Sequence, residues 1–350
     1  MVPDASGEAS AASLDEPDAS STGKAGRREL PLTDFHKGLE ECVGKLNGRV
    51  KHCGRSAFHH IRRAWVLHGI DNEMSAFRAI TAEEEAASAL ILSLQQKQYP
   101  GARGLNFRAH LHKAALTPFF AAVAKVLSLT EFAKPTVRLS PDVDPPRVSF
   151  FVDMSRMGMR VPEPLFAEPD EPLNFLIRLD SKDSSSGVHM FEEQLQEVTQ
   201  GSSLDEIVSY LKAEANLRNE LLYASDTGIP AANFTKSFLL ERLRRVTVLL
   251  TLTVAIQQTP KHQLFAVQCL RAFLRVMPKV KEEPFDFGPA GFVGDGIAIS
   301  KEPGGEPIAW FVRRYTFQIN VGYQLLPVLH VGWNHIEALN GPAEEGAASA

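Results

Sequence analysis

A single arginine stands where the periodicity of its segment calls for an apolar side chain. In LDEIVSYLKAEANLRNELLYASDTG, the residues Leu204, Val208, Leu211, Ala215, Arg218 and Leu222 step by alternate fours and threes, so they share one face of a helix. A guanidinium stays charged at any physiological pH, and on a packed face it needs an anion or a task. A chain that folds with this helix against others must therefore bring a carboxylate or a ligand to Arg218. The other reading is that Arg218 sits at the edge of the stripe and snorkels, its stem covering apolar surface and its head in water.

A second helix offers the carboxylate. In DNEMSAFRAITAEEEAASALILSLQQ, Phe77, Ile80, Glu84, Ala87, Ile91 and Leu94 fall on one face, and Glu84 interrupts it as Arg218 interrupts its own. Shifting the stripe by one residue lines up Ala76, Ile80, Glu83, Ala87, Leu90 and Leu94, so periodicity leaves Glu83 and Glu84 open as the partner. An arginine and a carboxylate in a helix seam offset each other's desolvation when they pair closely. Thr81 followed by Glu84 also has the form of a capping box, which would restart a helix at Thr81 and place Glu83 to Glu85 at the positive end of its dipole.

Composition bounds the class of protein. The chain has 350 residues, 44% of them hydrophobic and 23% charged, enough to build one large or two modest cores. A formal net charge of −5 argues against a surface that binds nucleic acid throughout, while leaving room for a local basic patch. Cys42, Cys53 and Cys269 form no metal-type cluster and leave an odd thiol, as expected of reduced cysteines in a cytoplasm. The longest apolar run, Val246 to Ile256, is too short to cross a bilayer, and the first residues have the wrong composition for a signal peptide.

Along the chain, residues 1–30 and 341–350 are small, polar and acidic and are expected to be disordered. Region 31–134 reads as helical, over Thr33 to Val50, Ser56 to His68, Glu73 to Gln98 and Asn106 to Leu129, with Pro118 kinking the last. Region 135–200 contains the β-type runs RVSFFVDM and LNFLIRLD between proline clusters and reads as an insertion. Helices return in 201–282: Ser203 with Glu206 makes a capping box that opens the Arg218 helix, expected to run to Ala224, and a long helix over Thr235 to Gln258 ends at Pro260 before another at HQLFAVQCLRAFLRVM. Region 283–340 reads as a β extension with a hairpin about Gly304-Gly305. The expected fold is thus mainly α, a helical bundle with a small β insertion and a C-terminal β-hairpin.

The segments AITAEEEAASALI and LRNELLYASDTG, an acidic helix followed later by a helix carrying Arg-Asn, resemble the HEPN superfamily and within it the AbiV-like branch associated with phage defence. The resemblance implies a helical bundle that dimerises and, in active members, a metal-independent endoribonuclease in which an arginine, a polar neighbour and a histidine surround the scissile phosphate. On that basis Arg218 faces phosphate, Asn219 is its polar neighbour, and Glu84 or an adjacent glutamate orients the arginine. The chain departs from the pattern at the histidine, because the matching positions hold Tyr223, Ala224 and Ser225. Tyr223, with an ordinary pKa near 10, is a poor proton shuttle at neutral pH unless strongly tuned.

Other candidate chemistry is sparser. Arginine–histidine pairs at the same spacing, such as Arg55 with His60 and Arg103 with His110, occur at the frequency chance gives. The stretch KHCGRSAFHHIRRAWVLH could present Arg55, His59, Arg62 and Arg63 with Trp65 as a phosphate-binding face, or as a solvated face with Trp65 in the core. Arg242, Arg244 and Arg245 read as an exposed face. His110 and His112 point to different sides of a helix, His189 with Glu192 and Glu193 is a single triplet, and the glycines of GFVGDG lie in the wrong context for a phosphate loop. No cofactor or metal is expected. Two functions follow: an RNA-directed cytoplasmic protein of defence or toxin type, a metal-independent endoribonuclease if catalytic and a binder without cleavage if the absent histidine disables it, or a non-catalytic module in which Arg218 and a glutamate fix helix packing and the β parts recognise a partner protein.

Overall fold

The computed structural model describes residues 29–128, 135–153, 166–169, 171–179, 188–221, 234–277 and 280, together with the backbone of strands between 298 and 331. The described residues are mainly helical. The helices are α1 (Asp34–Lys45), α2 (Gly48–Leu67), α3 (Asn72–Gln96), α4 (His110–Ala114), α5 (Leu116–Ser128), α6 (Glu192–Thr199), α7 (Leu204–Glu220), α8 (Lys236–Gln257) and α9 (Leu264–Val276). None is long and apolar enough to cross a membrane.

Helix α3 is the axis of the bundle. Every side chain from Ala86 to Leu94 is buried, so the helix has no solvent face over this stretch, and α2 and α8 pack along it. Its alanines let neighbouring backbones approach closely. This full burial explains why periodicity left Glu83 and Glu84 undecided, since both lie inside. No helix restarts at Thr81. The helix is continuous from its Asp71 cap, whose carboxylate accepts from Met74 N at 2.8 Å, and the Thr81 hydroxyl donates to Phe77 O at 2.8 Å.

Several boundaries differ from the sequence expectation for local reasons. The first helix ends at Lys45, and α2 begins at Gly48, whose φ of 58° suits only glycine without strain. The helix expected over Asn106 to Leu129 is two, α4 and α5, and Pro118 lies in the first turn of α5, where its missing N–H costs nothing. The Ser203 cap of α7 holds, its Oγ accepting from Glu206 N at 3.3 Å. The Glu206 carboxylate, however, accepts from Ser202 N at 2.7 Å, one residue before the box. The helix is described to Leu221, so its expected end at Ala224 and the Gly228–Pro230 turn lie outside the described residues.

The β segments also depart from the reading of separate insertion and extension. Strands β1 (Pro135–Ser140) and β2 (Arg147–Asp153) form an antiparallel hairpin, β3 (Phe166–Pro169) adds to β2, and the late strand β9 (Leu329–Val331) pairs with β3. A second sheet places β8 (Tyr323–Pro327) between β4 (Phe175–Leu179) and β7 (Phe317–Ile319). Only β5 (Ala298–Lys301) and β6 (Pro307–Phe311) make the expected hairpin by themselves, and its Gly304-Gly305 turn lies outside the described residues. Helix α6 lies within the region read as the β insertion.

Three glutamines, two of them buried, fasten this β layer to the helices. Gln263 accepts from Leu173 N at 2.7 Å and donates to Ala255 O at 2.7 Å. Gln268 accepts from Ile177 N at 3.0 Å and donates to Ile177 O and His189 O at 2.7 and 2.8 Å. Gln258 accepts from Val148 N at 2.8 Å. Each amide oxygen accepts from a backbone N–H of the β region, and Gln268 also donates to two of its carbonyls.

Gly54 marks a tight helix contact. A Cβ there would lie 2.5 Å from Val43 Cγ1 and 3.4 Å from Leu250 Cδ2, between α1 and α8. Gly54→Leu is therefore expected to destabilise the fold by about 1–3 kcal/mol through overpacking, read as a lower midpoint in urea unfolding with an unchanged slope.

Candidate functional site

Three consecutive glutamates on α3 leave the helix about 100° apart and meet three different surroundings. Glu83 turns towards α8 and α5, where it accepts from Arg242 Nη1 and Thr117 Oγ1 and lies 3.7 Å from Arg245 Nη1. Glu84 turns towards α4 and α7. Glu85 lies beside Cys53 and Arg49 on α2, and burial together with the Glu85 charge pushes the Cys53 thiol up to about 11.

The Glu84 cluster is where Arg218 ends. Arg218 Nη1 lies 3.3 Å from Glu84 Oε2, which also accepts from Lys113 Nζ at 3.1 Å, while Oε1 lies 2.7 Å from His110 Nδ1. The Arg218 guanidinium also rests over the Phe77 ring, 4.8 Å from its centroid. Glu84 and Lys113 are buried, but the Arg218 side chain keeps 29% of its exposure. The expected apolar stripe is rotated: Ile207, Leu211 and Leu221 face inward, and Leu204 is 53% exposed. Arg218 therefore reaches Glu84 from the flank of α7, with part of its head in water.

Two further groups complete the surroundings. His60 on α2 lies 3.4 Å from Arg78 Nη1, and burial, then the Arg78 charge, then those of His59 and Arg218 hold its pKa below the ordinary value. An imidazole so placed is neutral at pH 7. The Nε atoms of Arg78 and Arg218 are enclosed without a hydrogen-bond partner among the described residues. Lys113 and Arg218 share the Glu84 carboxylate, while Arg78 and Arg218 both act on His60, and each of these two arginines keeps one unused guanidinium donor among the described residues.

The other expected residues are placed differently. Asn219 is exposed and donates to Asn216 Oδ1 at 3.2 Å, away from Glu84. Tyr223 lies outside the described residues. The arginines of α8 are not a uniformly exposed face: Arg242 is buried on Glu83 and over the Phe238 ring, whereas Arg244 and Arg245 pair with Glu241, whose carboxyl they hold down at about 2. On α2, Arg62 forks onto Glu40 with two 2.5 Å bonds, while Arg55, His59 and Arg63 stay exposed and Trp65 packs partly on the core. His189 precedes α6 and its Nδ1 accepts from Phe191 N at 3.0 Å, so it does not share a helix face with Glu192 and Glu193. Among the described residues, no three His, Cys, Asp or Glu side chains gather for a metal ion.

His110, Lys113, Arg78 and His60 carried no sequence signal towards this site. The Arg103–His110 spacing matched chance, and only the fold of α4 against α3 brings His110 to the carboxylate that Arg218 also holds.

The two clusters differ in burial and so in what they hold. Arg242→Ala strands Glu83 inside the bundle, where Arg242 itself is only 8% exposed, and is expected to cost about 3–5 kcal/mol in chemical denaturation. Arg218→Ala leaves Glu84 with Lys113 and His110, and its expected cost is about 1 kcal/mol. A reversed order would mean that the Arg218 contact is the structural one. The histidines set a pH dependence: His36, His60, His112 and His189 all have pKa values lowered mainly by burial, so the unfolded chain takes up their protons first. Stability is then full above the ordinary histidine value near 6.5 and falls as pH drops below it, and His189→Asn is expected to flatten the Tm decline between about pH 6.5 and 5. No family model matches this chain, and no curated protein or solved structure does either.

Proposed function

We propose that this chain is an RNA-directed, HEPN-like protein of the cytoplasm, of defence or toxin type and working as a homodimer, whose phosphate-binding group is Arg218 and whose proton-transfer group is His110. The observation that carries this reading is the sharing of one carboxylate by both residues: Glu84 Oε2 with Arg218 and Glu84 Oε1 with His110. The histidine missing after Arg218 is then supplied from α4. A carboxylate that accepts from Nδ1–H fixes the tautomer and leaves Nε2 as the basic nitrogen. In RNA cleavage, His110 Nε2 takes the proton of the ribose 2′-hydroxyl as that oxygen attacks phosphorus, and the 5′-oxygen of the next nucleotide leaves with a proton from water. Arg218 offsets the charge that grows on the non-bridging oxygens, and no metal is needed.

The test is RNA binding and cleavage by the purified wild type beside Arg218→Ala and His110→Asn, with melting recorded for each. Expected are loss of cleavage in His110→Asn with binding kept, and binding weakened about tenfold or more in Arg218→Ala, both at nearly unchanged Tm. No RNA binding by the wild type would overturn the proposal.

One observation favours a second reading, a non-catalytic module that recognises a partner protein. Buried Lys113 already neutralises Glu84 without any ligand. Under that reading Glu84→Gln lowers Tm sharply and no variant changes any RNA signal.

A further inference from the structure

Helices α5 and α8 turn matching faces towards one cleft. Thr117, Phe120, Ala121, Ala124 and Lys125 on one, and Glu241, Arg244, Arg245, Val248 and Leu249 on the other, both follow the one-face spacing of a helix and line a cleft of about 390 Å³. Two helix faces of a bundle ordinarily close over such a space. Here Val248 remains 40% exposed on one wall, with Phe120 half-buried opposite.

The cleft is chemically two-sided. Its middle is apolar, made by Phe120, the alanines, Val248 and Leu249. Its polar lining carries three cations against one carboxylate, because Arg244 and Arg245 share Glu241, with Nη2–Oε1 and Nε–Oε1 distances of 2.8 and 3.1 Å. Arg245 also leans on buried Glu83 at 3.7 Å, and Lys125 pairs at the surface with Glu197 at 2.6 Å. Arg244 is mostly solvated, so its outer donors are open to a second anion.

We propose that this cleft binds a small amphipathic anion, an acid head group on an unbranched apolar chain. The head lies at Arg244 and Arg245 and the chain runs along Val248, Leu249 and Phe120. The lined stretch of α8 from Glu241 to Leu249 spans about 12 Å, the reach of a medium-chain acid, and the volume is within the usual range of small-molecule sites, about 300–1,000 Å³. This site is independent of the Glu84 cluster and does not rest on the RNA reading.

The probe is decanoate, measured by titration calorimetry on the full chain, with decanol and acetate as the uncharged and headgroup-only controls. Saturable decanoate binding is expected, with decanol and acetate each weaker by about tenfold or more. Arg244→Gln should weaken decanoate by about the same factor, and Val248→Asp should abolish its binding by placing a carboxylate on the apolar wall. Both positions are exposed, so both variants keep the fold, which an unchanged Tm verifies. Absence of saturable binding, equal binding of decanol, or decanoate binding untouched in Val248→Asp overturns the proposal. So does self-association of the wild type that Val248→Asp removes, which would make the cleft a contact between two copies.

Discussion

The bundle depends on compensating charge inside it. Helix α3 is buried along most of its length and carries Glu83 and Glu84 within that length, so α3 can stay at the centre only if cations come to it. They come from α4, α7 and α8, and those helices are thereby fixed in rotation and height against α3. Apolar packing by itself would leave that register loose, because alanine-rich faces slide over one another at little cost. The paired charges contribute less to net stability than an apolar core would, yet breaking the buried Glu83–Arg242 pair on one side is costly. We read them as devices of specificity that also leave one partially solvated arginine available.

The Glu83 and Glu84 clusters divide the work. Arg242 and Thr117 enclose Glu83 and leave it nothing to offer a ligand. Glu84 faces a margin of the bundle, where Arg218 and His110 both meet water. This contrast makes the Glu84 cluster the better candidate for chemistry and the Glu83 cluster the better candidate for structure. Neighbouring residues on one helix thus serve opposite ends.

Much of the helical architecture is legible in the sequence. The long helix at Asn72–Gln96, the helix of Arg218 and the helix ended by Pro260 follow from apolar periodicity and cap residues, which are local properties. An Arg218–glutamate contact also follows from sequence, as two charges that each need the other, although choosing Glu84 over Glu83 required the packing. What could not be read is non-local. Nothing about His110 marks it as a neighbour of Glu84, because α4 is too short to have a period. The pairing of β9 with β3 and of β8 with β4 joins strands more than a hundred residues apart, and the glutamines at 258, 263 and 268 look like solvated polar residues until the strands they hold are in place. Leu204 misled the reading of α7 because an apolar residue at the first turn of a helix needs no core to face.

The separation of Glu83 from Arg242 by 159 residues has a consequence for how the chain matures. At ordinary rates of synthesis, α3 leaves the ribosome roughly 10 to 30 s before its arginines on α8. During that interval Glu84 already has Lys113 and His110 of α4 within reach, but Glu83 has no arginine, and its charge resists burial on that face. Of the acidic run, Glu83 alone waits on the second half of the molecule, so the α8 face of α3 stays open to water until Arg242 supplies the charge that lets it shut.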